Sequence, residues 1–218
     1  MKHGSENHIV EYTYDKNEDG ESTNIPVVQD GIVIQNATDG NEFVWVPVGE
    51  IKNDAVENTT NKTTITLGRY SNFTVTDGML WSNITQPNAA IAAKAMYPYS
   101  STAKYYSDLI NSYAWDTAII FIEAYSDATY ATTTGRSINA NIAKAGENAD
   151  KRCNIQDMAG NTGEWSTETS TVSSAPPAPC TNRGGYYNSS GDTTSLRIVG
   201  SATGDYGHIS FRGSLCVK

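Results

Sequence analysis

The chain has 218 residues, of which 38% are hydrophobic and 18% charged, and its formal net charge at pH 7 is -9. This length fits one large domain, and the abundance of Gly, Tyr, Asn, Ser and Thr favours strands, turns and long ordered loops over helices. Lysine and arginine are scattered rather than clustered, which argues against nucleic acid or an anionic membrane as a partner. No apolar run reaches the roughly 20 residues needed to span a bilayer, so direct membrane insertion is not expected.

The first third of the chain is predicted to contain an arm followed by strands. Residues 1–25 are polar and acidic without a sustained hydrophobic period, so we interpret them as a loosely ordered arm that precedes a domain at 26–218. Two β-branched runs, 31–35 and 43–48, flank the segment NATDGN, whose Asp-Gly pair favours a turn, and this pattern predicts a hairpin. Alternating β-formers at 63–75 predict a further strand or extended segment.

Helices are predicted only in the middle of the chain. The segment 86–98 can form a short helix that begins near Pro87 and ends before Pro98. Residues 113–125 are a stronger candidate because apolar side chains recur at helical spacing on one face: Trp115, Ala118, Ile119, Phe121 and Ile122. From residue 126 onward the composition predicts loops, apart from a short helix that can form at 138–145.

The C-terminal part is predicted to consist of strands separated by turns. The segments CTNRGGYY (180–187), SLRIVGSA (195–202) and HISFRGSLCVK (208–218) are rich in β-formers and are divided by Gly, Ser and Asp. We find no internal repeat. The predicted fold class is therefore α+β, with few helices and a sheet built partly from the ends of the chain.

Common catalytic signatures are missing from the sequence. There is no Gly-x-Ser-x-Gly elbow, two of the three histidines lie in the N-terminal arm, and no glycine-rich phosphate loop follows a strand. The cysteines Cys153, Cys180 and Cys216 match no zinc motif, and nothing nearby indicates a lowered thiol pKa. If the segments of Cys180 and Cys216 are neighbouring strands, a disulfide between them is geometrically feasible.

The stretch DMAGNTGEW at 157–165 allows two interpretations. It could hold a hard cation such as Ca²⁺ with carboxylates and backbone carbonyls from one tight loop, the candidate ligands being Asp157, Gly160, Thr162 and Glu164. Alternatively, the stretch is a turn in which Asp157 and Asn161 cap backbone N–H groups while Trp165 starts the next core strand. Spacing alone favours the turn.

A second stretch is distinguished by its composition. Residues 184–212 are rich in Gly, Tyr, Asn, Ser, Asp and Thr and contain no Lys, Glu, Gln, Met or Trp. Tyrosine with small polar residues is typical of recognition surfaces, because tyrosine gives contact area at low entropy cost and the small residues adapt their hydrogen bonds. A connector rich in Gly and Ser between strands would have a similar composition, and the two interpretations stand equal on composition alone.

Together these motifs resemble the formylglycine-generating-enzyme-like (sulfatase-modifying factor) family. The stretches NIQDMAGNTGEW, NRGG and ISFRGSL are similar to the family's C-terminal signature, in which YDMAGNVWEW is followed by RGGSW and GFR. Upstream, NEFVWVPVG is similar to the first core strand, TLGRY to the MG segment, and LINSYAWDTA to the helix LPTEAEWEYA. The resemblance covers the chain from about residue 42 to residue 217.

The resemblance implies a C-type lectin-like fold, a mixed α+β domain whose N- and C-terminal strands pair and which carries long ordered loops. It also implies that Arg183 and Arg212 are structural and bind loop carbonyls or carboxylates in the core. Core anchors would be the tryptophans Trp45, Trp115 and Trp165. Calcium-bearing members of the family bind the ion at positions that match Asp157, Gly160, Thr162 and Glu164, so a structural Ca²⁺ is a further expectation although no cofactor is required.

The sequence departs from the enzymatic members in two ways. Those members carry a cysteine pair just after RGGS that binds copper and activates oxygen, whereas the segment RGGYYNSSGDTTS contains no cysteine. Without a thiol pair the oxidase chemistry cannot run, so we expect a protein that is not an enzyme. The second departure is Gly163, where the family usually has tryptophan, and this change alters the packing beside the turn.

Non-enzymatic relatives use the fold as a ligand-binding scaffold, and they include the variable proteins of diversity-generating retroelements. In those proteins variation of AAY codons reaches Asn, Tyr, Ser, Thr, Asp, His and Gly but not the five residue types that are missing from 184–212. We therefore expect a recognition surface built from twelve residues: Tyr186, Tyr187, Asn188, Ser189, Ser190, Asp192, Thr193, Ser201, Thr203, Asp205, Tyr206 and His208.

The expected function is a receptor- or surface-recognition module of the adhesin type. Its ligand would be a protein or a glycan on another cell or particle, which suits a location on a cell surface, outside the cell or on a phage virion. Two alternatives remain open: a formylglycine-generating-type oxidase with a displaced cysteine, and a structural subunit of a virion or surface appendage.

Overall fold

The computed structural model describes residues 31–46, 79–134, 141–147, 150–171 and 178–217 with their side chains, and the backbone of five further strands. The strands in chain order are β1 (Lys2–His3), β2 (His8–Ile9), β3 (Thr13–Lys16), β4 (Ser22–Val27), β5 (Ile32–Gln35), β6 (Glu42–Val46), β7 (Ile65–Gly68), β8 (Tyr105–Leu109), β9 (Lys151–Arg152), β10 (Ile155–Gln156), β11 (Gly163–Thr169), β12 (Cys180–Arg183), β13 (Arg197–Gly200), β14 (Ile209–Phe211) and β15 (Gly213–Val217). The helices are α1 (Gln86–Met96) and α2 (Ser112–Tyr125), and a 3-10 turn spans Tyr130–Thr132. Neither α-helix in this part of the chain is long and apolar enough to cross a membrane.

The larger sheet has five strands in the order β5-β6-β7-β15-β8. The hairpin predicted from NATDGN is confirmed, because β5 pairs antiparallel with β6 from Ile32 opposite Trp45 to Gln35 opposite Glu42. The predicted strand at 63–75 is confirmed over β7, and the remainder of that segment lies outside the described residues. The first strand of the expected domain and its last strand share this sheet, but β6 and β7 lie between them.

The second sheet has four strands in the order β13-β12-β11-β14. Strand β11 pairs antiparallel with β12 and parallel with β14, so it carries the end of the DMAGNTGEW stretch into the middle of the sheet. A single residue, Arg212, separates β14 from β15 and therefore joins the two sheets. In the N-terminal segment β1 pairs with β2 and β3 with β4, and the division of the chain at residue 25 stays a prediction.

Both predicted helices are confirmed, and each begins at a polar cap. The Thr85 hydroxyl accepts from the backbone N–H of Asn88 at the start of α1, and the Asn111 side chain accepts from the N–H of Ala114 at the start of α2. The apolar face predicted for α2 is buried throughout. The helix predicted at 138–145 is wrong where the structure describes it: residue 141 is a bend, 142–144 have no regular structure and 145 begins a turn, while 138–140 lie outside the described part.

The core consists of two apolar clusters, one around each helix. The cluster around α2 includes Val44, Ile110, Trp115, Ile119, Ile122, Tyr130 and Met158. The cluster around α1 includes Ile84, Ala89, Ala93, Leu109, Trp165, Ile209 and Phe211. Two of the three tryptophans predicted as core anchors are confirmed, because Trp115 and Trp165 are fully buried. Trp45 is only half-buried, although Phe43 on the same face of β6 is buried.

The conditional disulfide between Cys180 and Cys216 is not present. Cys180 lies in β12 and Cys216 in β15, and these strands belong to different sheets, so the condition of neighbouring strands fails. None of the three cysteines is in a disulfide; Cys153 and Cys180 are buried and Cys216 is half-buried. The three thiols also lie in separate parts of the fold, with Cys153 between β9 and β10.

Candidate recognition surface

The DMAGNTGEW stretch is a buried turn that connects three segments of the chain. Asn161 adopts a left-handed backbone conformation (φ 62°), and its side chain accepts from the N–H of Ala143 at 2.8 Å and donates to the Ala143 carbonyl at 3.2 Å. The Asn161 carbonyl accepts from the N–H of Tyr187 at 3.0 Å. A carboxylate oxygen of Asp157 accepts from the N–H of Gly146. The interpretation of this stretch as a capping turn is confirmed, and the turn supports the first residues of the expected surface.

Arg212 binds the carboxylate of Glu164, which calcium would use as a ligand in this turn. Its Nε lies 2.5 Å and its Nη2 2.6 Å from the two oxygens of Glu164, and both side chains are fully buried. Burial alone would lower the pKa of Arg212, but the Glu164 carboxylate raises it, so the guanidinium stays charged. A second bond from Nη2 goes to the Gln156 carbonyl at 2.9 Å. Arg212 is therefore structural, as the resemblance implies.

The four predicted metal ligands are adjacent, but they fit a calcium ion only in part. Asp157 Oδ1 and Thr162 Oγ1 are buried and have no hydrogen-bond partner among the described residues, which suits an additional ligand. Glu164, in contrast, is bound by a cation. The described residues contain no group of three or more His, Cys, Asp or Glu side chains arranged to hold a metal. Calcium at Asp157, Gly160, Thr162 and Glu164 remains a prediction.

Burial has a direct electrostatic consequence at Asp157. Desolvation raises the pKa of this carboxyl to about 6, although the Gly146 N–H, the Arg212 charge and the Asn161 side chain all favour the ionised form. Ionised Asp157 is therefore costly at neutral pH in the folded chain. The turn keeps an acidic group whose charged form is poorly solvated.

A second buried arginine, Arg183, directly precedes the segment 184–212, at whose other end Arg212 lies. Arg183 donates to the carbonyls of Leu196 and Ser195 and forms a 2.5 Å ion pair with Asp116. Burial lowers its pKa, while the Asp116 carboxylate opposes the shift. The structural role that the resemblance implies for Arg183 is confirmed. Its acidic partner on α2 was not predicted from the sequence, because no local pattern links residues 67 positions apart.

Both the backbone conformation and the lack of space for a side chain require glycine directly after Arg183. Gly184 has φ of +75°, and a Cβ there would lie 2.7 Å from the Met158 carbonyl oxygen and 3.2 Å from the Trp115 ring. Trp115 in turn donates from its indole N–H to the Thr194 carbonyl. At Gly163, the position where the resemblance expects tryptophan, a Cβ would lie 3.0 Å from the side-chain oxygen of Asn182. The Asn182 side chain therefore takes part of the space that a larger residue would fill.

The two predicted groups of surface residues meet through aromatic rings. The Tyr186 and His208 ring centroids are 4.4 Å apart, and Tyr206 lies 5.8 Å from His208. Burial lowers the pKa of His208, and the negative charge of Asp192 opposes this shift. The structure thus brings Tyr186 and Asp192 of the first group to Tyr206 and His208 of the second.

The remaining predicted residues surround this aromatic contact or extend away from it. In the first group the Ser189 hydroxyl accepts from the N–H of Asp192, and Thr193 forms an isolated bridge with Thr134. In the second group Ser201 contacts the Thr203 hydroxyl and the Tyr206 hydroxyl. Every one of the twelve side chains is exposed or half-buried, the exposed ones being Asn188, Ser190, Thr203 and Asp205.

Tyr206 differs from the other tyrosines because it also packs on the core. Its ring lies 6.1 Å from the buried Trp165 and against Gly204, and it belongs to the edge of the cluster around α1. Its backbone carbonyl accepts from Asn83 and Ile209. Sequence reasoning treated all three tyrosines as contact residues; the structure assigns Tyr206 a supporting role as well.

The comparisons with known proteins bear on the fold. No family model matches the chain, and no curated protein matches it. Among solved structures, a variable protein 1 from Treponema denticola aligns with a TM-score of 0.58 at 11% identity, covering 86% of this chain and 99% of the other. The chain has the C-type lectin-like fold. This fold is also seen in PvdO from Pseudomonas aeruginosa (TM-score 0.54, 10% identity, 86% and 98% covered) and in CarF (0.52, 14%, 82% and 96%).

The fold expected from the resemblance, and its α+β class, are thereby confirmed. At these identities the likeness establishes architecture and carries no activity from one protein to another.

Proposed function

We propose that this C-type lectin-like domain is a ligand-binding module that recognises a protein or glycan on another cell or particle. The observation that carries the proposal is the junction of Tyr186 with His208, which joins two exposed polar segments into one surface. Tyrosines at its centre would act as energetic anchors, and the surrounding Ser, Asn, Thr and Asp residues would supply adaptable hydrogen bonds. Display on a cell surface, outside the cell or on a virion suits this role.

We propose further that the surface varies between copies of the gene. Support comes from the residue types at 184–212, from the likeness to a variable protein, and from the placement of two buried arginines at the ends of the segment. Arg183 precedes the segment and Arg212 ends it, and each is held by a carboxylate outside it, Asp116 and Glu164. Substitutions at exposed positions between these anchors would leave the anchors intact.

The proposal that the chain is not an enzyme rests on the positions of its thiols. A displaced cysteine pair would need two sulfurs close together, whereas Cys180 and Cys216 lie in different sheets. Incubation with a sulfatase-type cysteine peptide, copper and oxygen should give no aldehyde product. Detection of formylglycine by mass spectrometry would support the oxidase alternative instead.

A combinatorial library tests the binding function directly. The eleven surface positions other than Tyr206, which packs on Trp165, are varied among the residues that AAY codons reach, and the full chain is displayed on yeast. We expect most members to be displayed at the level of the parent chain and to yield binders when selected against an unrelated folded protein. General loss of display would mean that these residues are needed for folding. That result would contradict the proposed recognition surface and favour a structural subunit.

Single variants distinguish tyrosines that would contact the ligand from a tyrosine that also stabilises the fold. Tyr186→Ala and Tyr187→Ala should leave the melting temperature almost unchanged, whereas Tyr206→Ala should lower it because its ring packs on Trp165. Sequencing the gene from independent isolates provides the second test. Substitutions should concentrate between Arg183 and Arg212, and an even distribution along the chain would contradict the variable surface.

A further inference from the structure

A cleft of about 450 Å³ lies beside the recognition surface and is formed mostly by residues outside it. It opens between the first turns of α1 and the loop that carries Asp205. The side chains that give it chemical character are Trp81, Asn83, Ile84, Asn88, Ile91 and Asp205. Its volume lies in the range of about 300–1,000 Å³ that is typical of small-ligand sites.

The walls of the cleft are fixed by contacts with the core. Trp81 packs edge-on against the buried Phe211 with ring centroids 5.8 Å apart. The Ile84 carbonyl accepts from the indole N–H of Trp165 at 2.8 Å, and the Asn83 N–H donates to the Tyr206 carbonyl at 3.2 Å. A site held in this way loses little conformational freedom on binding.

The lining combines an apolar face with a polar edge. Trp81 is 38% exposed although its ring is anchored, and Ile91 on α1 is 67% exposed. Asn83, Asn88 and Asp205 add exposed polar side chains. An asparagine side chain both donates and accepts hydrogen bonds, and a carboxylate accepts several, so the polar edge can bind neighbouring hydroxyl groups.

This lining disfavours the other simple ligand classes. An anion would be repelled by the Asp205 carboxylate and attracted only by the N-terminus of α1, because none of the described residues that line the cleft is basic. A cation would be attracted by Asp205 but opposed by the positive end of α1, whose N-cap Thr85 lines the cleft. A wholly apolar group would desolvate the asparagines and the carboxylate without replacing their hydrogen bonds.

We propose that this cleft binds the ring of an uncharged sugar. The C–H face of such a ring would stack on Trp81, and its hydroxyl groups would bond to Asn83, Asn88 and Asp205. The inference deepens the proposed recognition function by naming a ligand class, but it rests on side chains that, apart from Asp205, lie outside the candidate surface. A sugar bound here would leave the Tyr186 and His208 rings available for other contacts.

Titration of the full chain with the methyl glycosides of glucose, galactose, mannose and N-acetylglucosamine, followed by ¹H–¹⁵N NMR, tests this proposal. At least one glycoside should shift the indole N–H signal of Trp81 and the side-chain amide signals of Asn83 and Asn88 in the millimolar range. Trp81→Ala should weaken that binding about tenfold or more. Ile91→Arg changes an exposed residue and should block the cleft even if Trp81→Ala proves unstable.

Tyr113→Ala is the matched control, because Tyr113 is 80% exposed on α2 and does not line the cleft. It should bind the sugar as the parent chain does. Absence of shifts with all four glycosides would overturn the inference, and so would stronger shifts of the same signals by acetyl-tyrosine amide or acetyl-arginine amide. Sugar shifts confined to Tyr186 and His208 would also overturn it while leaving the proposed recognition function intact. Sugar binding at the cleft would stand even if the randomised library failed to display.

Discussion

Replacing Glu164 with glutamine should destabilise the fold far more than its conservative shape suggests. Glutamine keeps the side-chain volume but removes the negative charge, so the fully buried Arg212 guanidinium loses its ion-pair partner. One of the two bonds from Arg212 would also face an amide donor instead of an oxygen. The variant therefore leaves the buried guanidinium without the carboxylate that binds it directly.

The expected cost follows from the geometry of this pair. Removing one partner of a buried, doubly hydrogen-bonded pair costs about 3–5 kcal/mol, whereas an exposed pair contributes about 0–1 kcal/mol. For a chain of 218 residues this corresponds to a fall in melting temperature of roughly 6–20 °C. Arg197→Gln supplies the matched control, because Arg197 pairs with Asp116 and Glu168 at the surface and should cost less than about 1 kcal/mol.

Urea unfolding followed by circular dichroism measures both variants. A Glu164→Gln chain within about 1 kcal/mol of the parent would refute the reasoning, since it would mean that Arg212 is solvated or paired elsewhere. The double variant Glu164→Leu with Arg212→Met provides an internal check. It removes both charges of this pair and should be more stable than Glu164→Gln alone.

Three further predictions concern the turn, its expected ion and the thiols. Burial raises the pKa of Asp157 from 3.8 to about 6, so the folded chain gains up to about 3 kcal/mol of stability well below pH 3.8 and loses it as pH rises through about 6. The stability of Asp157→Asn relative to the parent should therefore increase by about 2–2.5 kcal/mol between pH 4 and pH 7, and a difference independent of pH would contradict the shift. If calcium binds as the resemblance implies, adding millimolar Ca²⁺ should raise the melting temperature and chelation should lower it; identical transitions would contradict a bound calcium ion. Thiol titration of the denatured chain should find all three cysteines reduced, and a single reactive thiol would contradict the placement of Cys180 and Cys216 in separate sheets.

Sequence reasoning correctly predicted those helices and strands whose formation depends on residues close together in the chain. The hairpin at β5 and β6 depends on a turn dipeptide between β-branched runs, and α2 depends on apolar spacing with a cap at Asn111. The fold was recognisable because its signature residues have demanding local roles. Gly184 adopts a positive φ, and Asn161 bonds to Ala143 and Tyr187, which belong to two different segments.

Sequence reasoning failed where the outcome depends on distant pairing. Strand order decides whether Cys180 and Cys216 are neighbours, and no pattern within either segment specifies that order. The partial exposure of Trp45 depends on what the assembled fold packs against this end of β6, since Phe43 on the same face is buried. The cleft at Trp81 depends on Asp205, more than 100 residues further along, so only the assembled fold shows it.

The position of β15 has a consequence for how the chain is made. This strand lies between β7 and β8 in the larger sheet, although it is the last strand in the sequence. Residues 213–217 must therefore be synthesised before that sheet can close. Until then the edge of β8 that pairs with β15 is unpaired. Until those residues emerge, the growing chain exposes two strand edges that the finished protein pairs. The β5–β6 hairpin and both helices are therefore synthesised before β15, the strand that joins β7 to β8.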